Sequence, residues 1–223
     1  MSHSVTLTSV EPITHNTYHL TMERPESFDF APGQATELAI DKDGWRDEAR
    51  PFTMTSQPED PELSFVIKSY PDHDGVTEQV AKLGAGDTVM LDEPFGAIQD
   101  QGPGVFIAGG AGITPFIPIL RKRAMTGDFQ NSHLIFSNAT EKDIILREEW
   151  EGYDGLETTF LVTEQENSPM HAPQLNKGIL AELIDDFGQN FYLCGPKPMV
   201  KDVRSALKEL GAHEDKIITE DGW

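Results

Sequence analysis

Arg50-Pro-Phe-Thr-Met-Thr-Ser56 places a guanidinium two residues before an aromatic ring and three before a hydroxyl. A guanidinium fork binds phosphate bidentately, and an aromatic face takes a planar ring. A second segment, Val66-Ile67-Lys68 followed by Gly75-Val76-Thr77, leads into a helix start. Backbone amides there attract an anion, and Thr77 adds a hydroxyl donor. Gly109-Gly110-Ala-Gly112-Ile-Thr114-Pro115 follows the apolar run 105–108 and precedes an amphipathic stretch. Glycines in that context allow a tight turn and close backbone approach to a pyrophosphate, and Pro115 suits a first helical turn. Cys194-Gly195-Pro196-Lys-Pro-Met199 ends another apolar run, where parallel sheets bind their ligands. The chemistry these residue types share is the holding of phosphate-bearing ring cofactors.

The elements that must position them fall into two sets. Short, mostly alternating runs at 5–10, 17–22, 35–40, 52–55, 63–67 and 88–91, punctuated by Pro, Gly and Asp, predict an antiparallel β-barrel with one helix over 76–83. After Gly102-Pro-Gly104 the pattern changes. Buried strands are expected at 105–108, 133–136, 158–162 and 190–193, with helices at 114–125, 143–151, 177–186 and 197–210. Strand-helix alternation predicts a parallel sheet with covered faces. The expected architecture is a β-barrel domain over 1–101 and an α/β domain over 102–223. The loop 164–174, with two prolines and little apolar content, is expected to be mobile.

Composition narrows the classes. The 223 residues carry 17 basic and 38 acidic side chains, a formal charge of −21. Six basic against 19 acidic residues leave −13 on residues 1–101, and 11 against 19 leave −8 on the rest. Nucleic acid is excluded as a partner, because phosphate backbones need a basic footprint. No run of eighteen apolar residues forms a membrane span, and the first residues show no secretory pattern, so a cytoplasmic location is expected. The one cysteine cannot form an internal disulfide or the four-thiolate ligation of a plant-type iron–sulfur cluster. His15 and His19 lack metal-ligand context, so no metal is expected.

In this order, the three motifs resemble the ferredoxin-NADP reductase family of flavoproteins across nearly the whole chain. The resemblance implies that Arg50 holds the flavin phosphate, Phe52 packs on the ring where Tyr is commoner, and Thr53 lies near its N5. It makes Val66-Ile67-Lys68 with Gly75, Val76 and Thr77 the second flavin segment. It places Gly110, Gly112, Thr114 and Pro115 at the nicotinamide nucleotide, and Cys194, with Gly195, Pro196 and Met199, beside nicotinamide C4. Cys194 is then a packing and positioning group, and Glu220 a polar group near both rings. The chain end departs from the pattern: Gly222 stands where an aromatic is expected, with Trp223 one residue on. The resemblance implies that Trp223 either covers the adenine end of the flavin, which favours FAD with FMN as the alternative, or reaches the ring itself.

The implied function is hydride transfer from NADH or NADPH to the bound flavin, then electron transfer to a small acceptor. The rival is a non-catalytic, reductase-like subunit that binds nucleotide without turning it over. Members that use NADPH carry an arginine after the second α/β strand; here Ser137-Asn-Ala139-Thr-Glu141-Lys142 has Ala139 at that place. A glutamate suits a ribose diol and repels a 2′-phosphate, so NADH is the expected donor. The acidic surface makes an acidic ferredoxin a poor partner. A flavodoxin, a less acidic ferredoxin or a small molecule is expected, with Arg121-Lys-Arg123 as a local basic patch.

Overall fold

The N-terminal strands carry their apolar side chains at every second position, and that alternation rolls them into a barrel. In the computed structural model, which describes residues 3–70, 75–96 and 98–220, these strands are β1 (His3–Pro12), β2 (Thr17–Glu23), β3 (Ala35–Ile40), β4 (Arg50–Thr53), β5 (Glu62–Lys68) and β6 (Thr88–Leu91). Val5 and Leu7, Leu20 and Met22, Leu38 and Ile40, Phe65 and Ile67, and Val89 and Leu91 point inward as i, i+2 pairs to one buried core. The sheet is antiparallel, in the order β4-β3-β6-β1-β2-β5. A short helix, α1 (Val76–Val80), buries Val76 and Val80.

The edge strands β4 and β5 meet at a single antiparallel bridge, Met54 to Phe65. Beside it, Thr55 N–H donates to Ser64 O at 2.8 Å, and the Thr55 and Ser64 hydroxyls lie 2.9 Å apart. Back along β4 and onward along β5 the two strands pair only with β3 and β2. The barrel is therefore stapled at one point and split beyond it. Pro51 sits on that edge strand, where its missing N–H leaves no ladder bond unmade.

The second set begins with β7 (Gly104–Gly109), followed by a 3₁₀ turn over Gly110–Ile113 and α2 (Phe116–Thr126). β8 (His133–Asn138), α3 (Arg147–Gly152), β9 (Glu157–Val162), α4 (Lys177–Leu183), β10 (Asn190–Cys194), α5 (Lys197–Glu209) and β11 (Ile217–Ile218) complete it. The sheet is wholly parallel, in the order β11-β10-β7-β8-β9. The chain divides into two compact units, Met1–Gln99 with Thr114–Lys122 and Asp100–Ile113 with Arg123–Trp223. Among the described residues no helix is long and apolar enough to cross a membrane.

Three expectations change. α3 starts later than expected, because a Thr140/Asp143 capping box closes a 3₁₀ turn over Glu141–Asp143 and Leu146 then adopts a left-handed φ of 56°. The loop 164–174 is tied down: Val162 exchanges backbone bonds with Met170 and Ala172, and Ser168 Oγ donates to Glu141 Oε1 at 2.7 Å. Arg121-Lys122-Arg123 does not form a basic patch, since Arg121 donates to Thr55 O and Lys122 to Glu59. Arg123 is buried, lying over Phe106 with its guanidinium bonded to Asp100 and Ser132.

Candidate functional site

The two half-sites are built differently, the first around the split in the barrel. Arg50, Phe52 and Thr53 occupy β4 on one lip; Ile67 and Lys68 end β5 on the other. Both predicted flavin segments thus run away from the same Met54–Phe65 staple. Phe52 is half-buried and packs against the barrel core, while Thr53 and Ile67 are buried. Arg50 is 52% exposed: its Nη1 donates to Ala49 O at 2.7 Å and its Nη2 to Glu48 Oε2 at 3.0 Å. Two of a guanidinium's five donors are used, so the group fits a phosphate arriving at the open lip. Gly75 precedes α1 in extended conformation without a side-chain cap. Because α1 is only five residues long, its macrodipole is weak, and an anion there would have to be held by the amides near Gly75 and Thr77.

The second half-site lies where β7 and β10 end, side by side. A Cβ on Gly112 would stand 2.5 Å from Cys194 C and Gly195 N and collide with the Cys194 carbonyl. One on Gly195 would meet Gly109 N at 3.0 Å, and one on Gly109 would meet Pro196 Cδ at 2.9 Å and strike Met199 Sδ. Only glycine lets the two turns approach this closely. Gly110 turns the chain at a φ of 52°, and Thr114 and Pro115 follow before α2.

Cys194 ends β10 with its thiol pushed up to about 12, first by burial and then by the nearby Glu220 carboxylate. It is therefore a neutral thiol throughout the physiological range. Trp223 lies outside the described residues, as does Gly222.

At the end of β8, Glu141 is already engaged. Its Oε1 accepts from Ser168 and Gln165, at 2.7 and 3.3 Å, and its Oε2 from Arg147 at 3.1 Å. Hydrogen bonds from Ser168 and Arg147 hold the carboxyl below its usual range, so it stays ionised. Arg147 is shared between Glu141 and Glu151. Asn138 beside it is 5% exposed, and neither polar atom of its side chain has a partner. Sequence reasoning missed the pairing of Glu48 with Arg50. Its signal is the acid two residues before the arginine at the start of a strand.

Comparison with known proteins assigns a family to each part of the chain. Residues 2–99 match the FAD-binding domain family, and residues 106–205 match the oxidoreductase NAD-binding domain family. The reductase component of propane 2-monooxygenase from Rhodococcus jostii (strain RHA1) is 30% identical over 95% of this chain, which spans 61% of that relative. NADH-cytochrome b5 reductase 1 from Aspergillus terreus is 32% identical over 89% of this chain and 74% of its own length. A ferredoxin NADP+ reductase from Neisseria gonorrhoeae, solved with bound FAD and NADP, shares the fold. Its TM-score is 0.84 at 21% identity, with 100% of this chain and 99% of that one covered.

Proposed function

This chain belongs to the ferredoxin-NADP reductase-like family of flavoproteins, and from that premise we propose that it is an NAD(P)H-dependent flavin oxidoreductase serving a small redox acceptor. The observation that carries this reading is the pairing, in one chain, of a split barrel lined by Arg50, Phe52 and Thr53 with a glycine-built turn at the carboxyl edge of a parallel sheet. Bound FAD supplies the exchange between two-electron hydride chemistry with a nicotinamide and one-electron release to an acceptor. Arg50 holds the flavin phosphate, Phe52 packs against the ring, and Thr53 supplies a hydroxyl at the seam. The Gly110–Gly112 turn and Thr114 receive the nucleotide pyrophosphate, and the neutral Cys194 thiol, kept so by burial and Glu220, packs against the nicotinamide. Purified protein should be yellow and should bleach anaerobically with reduced nicotinamide. A colourless protein that added FAD does not restore would favour the non-catalytic rival.

NADH is the preferred donor in this reading. Ala139 supplies no guanidinium, Glu141 stays ionised, and Arg147 is held by two carboxylates. Missing one bidentate contact costs NADPH about 1.5–3 kcal/mol, roughly ten- to a hundredfold in affinity. Stopped-flow flavin reduction with each nucleotide at equal concentration tests this, and saturation at lower NADPH than NADH rejects it. The acceptor is a flavodoxin, a less acidic ferredoxin or a small molecule. The charge of −21 and the internal use of Arg121, Lys122 and Arg123 favour these over an acidic protein.

A further inference from the structure

We propose that Glu48 is a built-in competitor for the flavin phosphate: by pairing with Arg50 it sets how tightly this chain holds its flavin and favours FAD over FMN. The inference rests on the reading of Arg50 as the phosphate anchor. Glu48 and Arg50 flank Ala49 at the mouth of β4, with Glu48 Oε2 3.0 Å from Arg50 Nη2. Both side chains are 52% exposed, so the pair adds little to the stability of the barrel. The backbone that carries it is nevertheless braced. The preceding turn is stapled by Arg46 to Asp41 and Asp43, by Lys42 to Asp87 at 2.9 Å, and by Glu48 N–H donating to Trp45 O at 3.2 Å. Trp45 packs on the barrel core. The carboxylate is therefore delivered to the guanidinium by a braced turn.

A phosphate that binds Arg50 must displace Glu48 or share the guanidinium with it. Sharing places two anions on one cation. The penalty depends on the charge that arrives. The terminal phosphate of FMN is a monoester whose second proton leaves near pH 6, giving about −1.5 to −2 at neutral pH. In FAD the two phosphates are joined by an anhydride, and each carries one ester link and one negative charge. Riboflavin has no phosphate and is indifferent to Glu48.

The test is a titration of flavin-stripped protein with FAD, FMN and riboflavin, read by flavin fluorescence, for wild type, Glu48→Gln, Arg50→Ala and the double variant. Glu48→Gln should tighten FAD about two- to threefold and FMN about five- to tenfold, with less gain at high salt. Riboflavin should not change, and the gain should largely disappear in the Arg50→Ala background. Unchanged or weaker FAD and FMN binding in Glu48→Gln overturns the proposal; so does equal tightening of FAD and FMN, or tightening of riboflavin. If Arg50→Ala binds FAD as well as wild type, the assignment of Arg50 itself fails. If Arg50→Ala weakens FAD while Glu48→Gln changes nothing, only the role of Glu48 falls.

Discussion

The proposed nucleotide half-site is made of backbone and the proposed flavin half-site of side chains. Gly109, Gly112 and Gly195 bring the turns after β7 and β10 to contact distances that leave no room for a Cβ. At the barrel seam, by contrast, Arg50 reaches out from an exposed lip, its guanidinium hydrogen-bonded to Ala49 and Glu48 just before it in the chain. One half-site is therefore inseparable from the packing of its sheet, while the Arg50 end of the other can be altered with little effect on the fold. Binding and stability should be coupled in the first and separable in the second.

The sharpest way to break that contrast is Gly112→Ala. The added methyl meets Cys194 and Gly195 backbone, which cannot swing aside as a side chain can. A loss of about 3 kcal/mol in urea unfolding is expected, with nucleotide binding lost alongside. Wild-type stability in this variant would mean that the turns are not in contact.

Arg50→Ala tests the other side. FAD should bind about ten- to a hundredfold more weakly, because a charge-assisted contact is gone. The unfolding midpoint of the flavin-free protein should shift by less than about 0.5 kcal/mol, since the Glu48 pair is exposed. A large stability loss would place Arg50 in the fold rather than at its edge.

Asp100→Asn asks whether side chains ever carry stability in the α/β unit. Burial pushes the Asp100 carboxyl up, but hydrogen bonds from Arg123 and the Gly102 N–H and the charge of Arg123 outweigh it and hold it below the usual range. A depressed carboxyl stabilises above its unfolded pKa of about 3.9, and that contribution is lost as pH falls through the folded value. The variant should be about 1–2 kcal/mol less stable at pH 7, less than a fully buried pair because Asp100 is 37% exposed. The gap should narrow at pH 3; a constant gap in urea midpoints would show that the ion pair is not its cause.

The smallest effect concerns Cys194, a side chain inside the backbone-built site. With its thiol at about 12, alkylation by iodoacetamide should be negligible from pH 6 to 9, and flavin reduction should show no thiol titration there. Rapid labelling at pH 8 would contradict this.

What could be read from the chain beforehand was whatever repeats locally. The alternation of Val5 and Leu7, or Phe65 and Ile67, announces a barrel strand without reference to anything distant. The glycine turns announced themselves through strand context. What stayed hidden depends on partners far along the chain. Arg123 looks like surface charge until Asp100, 23 residues away, and the ring of Phe106 are known to receive it. The loop 164–174 looks free until Ser168 and Gln165 are found on Glu141. β11 has two residues, too few for a periodicity. Glu48 was within reach, two residues from Arg50, but that spacing is easily passed over in a chain this rich in exposed acids.

The split in the barrel has a consequence for the life of the chain before it binds anything. Past Met54 and Phe65, β4 pairs along one side with β3 and β5 along one side with β2, so among the described residues both are edge strands. Open strand edges of this kind are templates for pairing with another chain. Newly made protein in a cell short of riboflavin would therefore carry edge strands of which Pro51 blunts only the one on β4. Its yield of native material should then follow vitamin supply, with the shortfall collecting as aggregate.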